Sequence, residues 1–168
     1  MPNRSCVALV VALAAVTSVT ASAQGKPPGQ GADACSLVSK AEIEGALGLR
    51  LAGGVKYPKM QSSGVLSSCD YATPGGGQVG VLIRRNATKY VAGTEKAEFE
   101  KQGMKLRYTT GLGASAFFID MFGMGTGLGI FRGDYDYVQL TAMGTGGTEA
   151  SRSDGLTKIA QLVLDRWK

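Results

Sequence analysis

The sequence predicts an α+β domain: an antiparallel sheet built from two α-plus-hairpin halves, with helices packed on it and one disulfide. Three observations predict it. Residues 78–85 and 135–143 alternate their side chains with the period of two that a strand requires. Residues 149–167 instead place Leu156, Ile159, Ala160, Val163 and Trp167 at spacings of 3, 1, 3 and 4, which is one stripe of a helix. Finally, residues 68–84 and 115–132 read alike, as strand, Gly-rich turn, strand. They end Leu82-Ile83-Arg84 and Ile130-Phe131-Arg132, about 48 residues apart, and a helical segment precedes each.

The chain opens on a targeting pattern. Arg4 precedes an unbroken apolar run over residues 6–16, and Ala21-Ser22-Ala23 follows as a small-x-small cleavage site. Residues 1–23 therefore read as a signal peptide. The run is shorter than the roughly 20 residues a membrane helix needs, so no stable membrane insertion is expected. No Cys stands at the cleavage site to carry a lipid. Residues 24–32, rich in Gly, Pro and Gln, read as a flexible tether. Residues 33–168 are then a single α+β domain, long enough for a core of its own. The implied location is periplasmic or extracellular. Loss of Cys6 with the leader leaves Cys35 and Cys69, and two Cys in an oxidising compartment most simply form one disulfide.

The elements follow in order. Ser39 and Glu42 form a capping box that starts a helix, Ile43, Ala46 and Leu47 share one face of it, and Gly48 stops it. A short strand is expected over 50–55, a loop over 56–64 and a strand over 65–71. Thr73-Pro74-Gly75-Gly76-Gly77 makes a turn. In the returning strand, 78–85, Val79, Val81 and Ile83 share one face. Gly80 and Leu82 leave the other only partly polar, as under a covering helix. A helix is expected over 87–102 and strands over 104–109 and 116–122. Residues 123–127 read as a Gly-rich turn, 128–131 as the returning strand and Arg132-Gly133-Asp134 as a tight turn. Strand 135–143 and helix 149–167 complete the domain, with Lys158 and Arg166 off the apolar stripe and expected to matter little for stability.

The pattern Cys35-x-Leu37-x-x-x-x-x-Ile43-x-x-x-Leu47-Gly48, then Cys69-Asp70-Tyr71, then Gly111-Leu112-Gly113-Ala114-Ser115-Ala116, resembles a family of exported actinobacterial lipoproteins of unknown function. It is similar, too, to the extracellular sensor domain of some mycobacterial receptor kinases. The resemblance implies an antiparallel sheet with helices packed on it and the two cysteines paired, and it brings no catalytic residues. This chain lacks the lipid-bearing Cys of that family, and Ala114 stands where an acidic residue is frequent.

The composition narrows the chemistry. The chain has no His, the commonest general base and metal ligand. No metal motif is present, and no cofactor is expected. The glycines at 123, 125, 127 and 129 precede a strand rather than a helix, so they make a hairpin and not a phosphate loop. The net charge is +5, and loss of the leader with its one charge, Arg4, leaves +4. The basic pairs are scattered and have no aromatic interleaving, which argues against a nucleic-acid partner.

Two functions from different classes remain. One is an exported non-enzymatic binding or sensor-like module acting on a cell-envelope component or partner protein. Its candidate residues are Tyr135, Tyr137 and Gln139, which share a strand face with Thr141, together with Arg84 and Arg132 at the hairpin ends. That face, aromatic and polar at once, either binds a carbohydrate or protein or packs under the final helix. The other is a small exported hydrolase using carboxylates, which requires Asp120, Asp134 and Asp136 to converge.

Overall fold

The computed structural model describes residues 33–56, 66–85, 94–133 and 136–167. The expected leader, the tether, nearly all of the 56–64 loop, the first residues of the 87–102 helix, Asp134 and Tyr135 lie outside them.

Two helices open the domain. The first, α1 (Ala34–Leu37), is a single turn that the periodicity does not reveal. Asp33 caps it, its Oδ1 accepting the Cys35 amide at 3.1 Å. The second, α2 (Lys40–Leu47), carries the expected capping box. Ser39 Oγ accepts from Glu42 N, Glu42 Oε2 accepts from Ser39 N at 2.8 Å, and Gly48 ends the helix at φ 64°. The strands follow as β1 (Gly54–Lys56), β2 (Leu66–Ala72) and β3 (Gln78–Arg84). After α3 (Thr94–Lys101) come β4 (Lys105–Thr109), β5 (Ser115–Asp120), β6 (Gly125–Arg132), β7 (Asp136–Met143) and α4 (Glu149–Arg166).

The strands form one seven-stranded sheet in the order β1-β2-β3-β7-β6-β5-β4, and every neighbouring pair is antiparallel. The class is therefore α+β, with helices packed on an antiparallel sheet. The β2–β3 and β5–β6 hairpins stand on either side of the central β7. A disulfide joins Cys35 to Cys69 with Cα atoms 5.1 Å apart, fastening α1 to β2.

Strand alternation gives the sheet two different faces. One face carries Cys69, Val81, Leu140, Leu128 and Phe118 in register across five strands. Leu156, Ile159, Ala160, Val163 and Trp167 pack on it from α4, as do Ala34 and Leu37 of α1 and Ile43 of α2. The opposite face holds a smaller core of Phe117, Ile119, Phe131 and Tyr137, with Phe99 of α3 against it. Its rings meet at centroid distances of 5.0–6.3 Å.

Gly125 and Gly127, expected in the turn, are strand residues of β6, as is Gly129, expected in the returning strand. They point to the aromatic face. A Cβ on Gly129 would stand 2.8 Å from Tyr137 Oη and 2.9 Å from Phe117 Cζ. The missing side chain is the space those two buried rings occupy, so the glycine is there for packing rather than for a turn.

Arg166 lies off the apolar stripe, but it is not idle. Its guanidinium pairs with both carboxylate oxygens of Glu42, at 2.9 and 2.6 Å, and donates to the Leu37 carbonyl at 2.9 Å. One side chain of α4 thus clamps both α1 and α2. The bonds from Arg166 and Ser39 hold the Glu42 carboxyl down at about 2, against an ordinary value of 4.5. A depressed folded-state value means the clamp contributes fully above 4.5 and loses its contribution as the pH falls through about 2. Glu42→Gln is therefore expected to lower Tm at pH 7, with the gap to wild type closing as the pH is taken down to about 2. A gap independent of pH over that range would mean the ion pair does not stabilise the fold.

Candidate functional site

Polar alternation on β2, β3 and β7 falls on the face opposite α4. Cross-strand register puts Asp70, Gly80 and Thr141 in one row and Ser68, Leu82 and Gln139 in the next. With Gln78 these residues line a concavity of about 310 Å³. That volume is at the lower end of what small-ligand sites use. Among the described residues no helix lies over the concavity: α3 packs against β4 and Phe117.

The floor of the concavity is Gly80. A Cβ at that position would stand 2.6 Å from Thr141 Oγ1 and 2.7 Å from Asp70 Oδ1. Absence of the side chain lets two oxygens from neighbouring strands lean together over the β3 backbone. Gln78 Nε2 donates to Asp70 Oδ1 at 2.8 Å, which orients the carboxylate. Ser68 is only 5% exposed, and its hydroxyl has no hydrogen-bond partner among the described residues. Leaving a buried hydroxyl unmatched costs about 1–3 kcal/mol. A ligand group that bonds it recovers that cost.

The arrangement offers hydroxyls, carboxamides and one carboxylate around a partly apolar wall, Leu82. It suits a neutral polar ligand that both donates and accepts hydrogen bonds. Among the described residues no three His, Cys, Asp or Glu side chains gather to hold a metal ion.

The residues singled out from sequence are dispersed. Gln139 lines the concavity. Arg84 lies on the same face, next after Leu82 in the alternation and half-buried. Tyr137 faces the same way but is fully buried, its ring 5.0 Å from Phe131, so it is wall and not surface. Packing under the final helix is not its role, since α4 covers Val138, Leu140 and Ala142 instead. Arg132 is on the α4 face, donating to the Trp167 carbonyl with its guanidinium 5.5 Å from the indole centroid. Tyr135 is outside the described residues.

Ser68, Asp70 and Gln78 were not among the expected site residues. The signal available for them is the alternation of Ser68 and Asp70 against Cys69 and Tyr71 beside a glycine on the partner strand. Of the carboxylates proposed for hydrolysis, the two among the described residues, Asp120 and Asp136, do not converge. Asp120 shares a register row with Ala142, six residues along β7 from Asp136, a separation of about 20 Å at 3.3 Å per residue. Asp120 instead accepts the Gly123 amide at 3.0 Å.

Comparison of the chain with protein-family models, with curated proteins and with solved structures finds no match in any of the three.

Proposed function

We propose that the chain is an exported, non-enzymatic binding or sensor-like module that takes a polar group of a cell-envelope component or partner protein into the β2–β3–β7 concavity. It acts in the periplasm or outside the cell, in keeping with the leader pattern, the disulfide and the resemblance to exported sensor domains. The single observation that carries the reading is the buried Ser68 hydroxyl, unmatched among the described residues and placed beside Asp70, Gln139 and Thr141.

The test joins binding to stability. The protein is immobilised and exposed to an extract of the envelope, and the retained component is identified and titrated. Ser68→Ala and Gln139→Ala should each weaken its binding about tenfold, the equivalent of one hydrogen bond of about 1.4 kcal/mol. Ser68→Ala should leave Tm unchanged or raise it, because it removes an unmatched buried group. Lys158→Ala, exposed on α4, should bind as wild type. Retention indifferent to both site variants would place the ligand elsewhere.

A further inference from the structure

The hydrogen-bonding groups of the β2–β3–β7 concavity discriminate between classes of ligand. Asp70 accepts from Gln78 Nε2 at 2.8 Å through one oxygen, and among the described residues no Lys or Arg pairs with it. The lining includes no Lys or Arg either. Arg84, on the same face, stands four residues along β3 from Gly80, about 13 Å away at 3.3 Å per residue. An anionic ligand would meet a carboxylate with no cation beside it, and repulsion at that range disfavours it.

The donors exclude a second class. Ser68 and Thr141 each carry an O–H, and the Gln139 carboxamide carries two N–H groups. The Ser68 hydroxyl is buried and unmatched among the described residues, and neither Gln139 nor Thr141 bonds another of them through its side chain. An ammonium group would suit Asp70, but it only donates and would leave those protons without an acceptor. A peptide group has one donor and one acceptor, too few for four side chains. A hydroxyl donates and accepts at once.

The layout calls for several hydroxyls on one small frame. Asp70 and Thr141 flank Gly80, and Ser68 and Gln139 flank Leu82 in the next row. Four polar side chains thus stand at the corners of a patch whose centre is bare backbone and one apolar side chain. Asp70 Oδ1 and Thr141 Oγ1 both lean to the point where Gly80 has no Cβ. A sugar ring has the matching pattern, with C–H groups in the middle and hydroxyls around the edge.

We infer that the concavity takes a neutral saccharide, held by adjacent ring hydroxyls. They donate to the Asp70 carboxylate and accept from Gln139, Thr141 and Ser68, while ring C–H groups lie on Leu82. The inference rests on the proposed reading of this face as the ligand site, and names the class of ligand.

Envelope oligosaccharides are released with mild acid and separated by ion exchange into neutral, anionic and cationic fractions. Each fraction is titrated into isotope-labelled protein, and so is the unfractionated extract. The side-chain amide resonances of Gln78 and Gln139 are followed. The neutral fraction is expected to shift both in a saturable way, with little dependence on salt. Periodate, which cleaves vicinal diols, should abolish its effect. Asp70→Asn keeps the size of the side chain and an oxygen for Gln78, but puts an NH₂ where the hydroxyls need an acceptor. It should weaken binding about tenfold or more with Tm retained. Should it lower Tm, Thr141→Val must show the same loss of binding. Shifts from a charged fraction alone, or neutral binding that survives periodate or both variants, overturn the inference. Shifts from the whole extract but from no oligosaccharide fraction overturn the saccharide and leave the ligand site standing. Silence of both glutamines toward the whole extract overturns the two together.

Discussion

Trp167→Ala is expected to cost about 3–5 kcal/mol, out of the roughly 5–15 kcal/mol that holds a domain of this size together. The residue is the chain's only Trp, and it stands at the C-cap of α4 with 1% of its surface exposed. Chain ends usually fray, but this one is tied down. Its amide donates to Val163 O at 2.8 Å, and Arg132 donates to its carbonyl. The guanidinium groups of Arg85 and Arg132 lie 5.4 and 5.5 Å from the ring centroid, within cation–π range. Truncation empties a site that the fixed sheet cannot close. Thermal unfolding checks it against Lys158→Ala, expected within about 0.5 kcal/mol of wild type. Equal shifts for the two would mean that α4 does not seal the larger core.

Opening the Cys35–Cys69 bond is the second large effect. The loop it closes has a sequence separation of 34, and the chain-entropy account gives such a loop about 3.8 kcal/mol. That loop contains α2 and β1. Cys69 is wholly buried at the level of Val81, so the bond anchors α1 to the middle of the sheet. Unfolding in denaturant with and without a reductant should show a loss of about 2–5 kcal/mol. Equal midpoints in the two conditions would mean the helices hold to the sheet without the bond.

The elements legible in the sequence are those whose determinants are local. Ser39 and Glu42 are three residues apart, and the α4 stripe repeats within a turn, so both could be read directly. The sheet itself was legible from Val79, Val81 and Ile83 and from the alternation on β7. What escaped depends on partners far along the chain. Gly125 and Gly127 look like part of a turn until Met143 and Thr141 of β7 are seen paired with them. Arg166 looks like a solvated charge because its partners, Glu42 and Leu37, are 124 and 129 residues away. The one-turn α1 is too short to have a period.

The candidate site was half legible for the same reason. Gln139 and Thr141 announce a polar strand face. That Ser68 and Asp70 share it depends on β3 lying between β2 and β7, a fact of topology rather than of spacing. Tyr137 carries the right chemistry on the right face, but its neighbours Phe131 and Phe117 bury it. Arg132 differs from Arg84 by one step of alternation relative to β7, which sends it to the α4 face. A one-residue change of register moves a side chain through the sheet.

The proposed ligand site is the polar face of β2, β3 and β7. The side-chain amide resonances of Gln78 and Gln139 report on that face directly. Gln102, which bonds Glu98, and the exposed Gln161 report on other surfaces. Isotope-labelled protein is titrated with a soluble envelope fraction, and all four are followed together. Gln78 and Gln139 are expected to shift in a saturable way while Gln102 and Gln161 stay still. Saturable shifts at Gln102 or Gln161, with Gln78 and Gln139 unmoved, would contradict the proposed site.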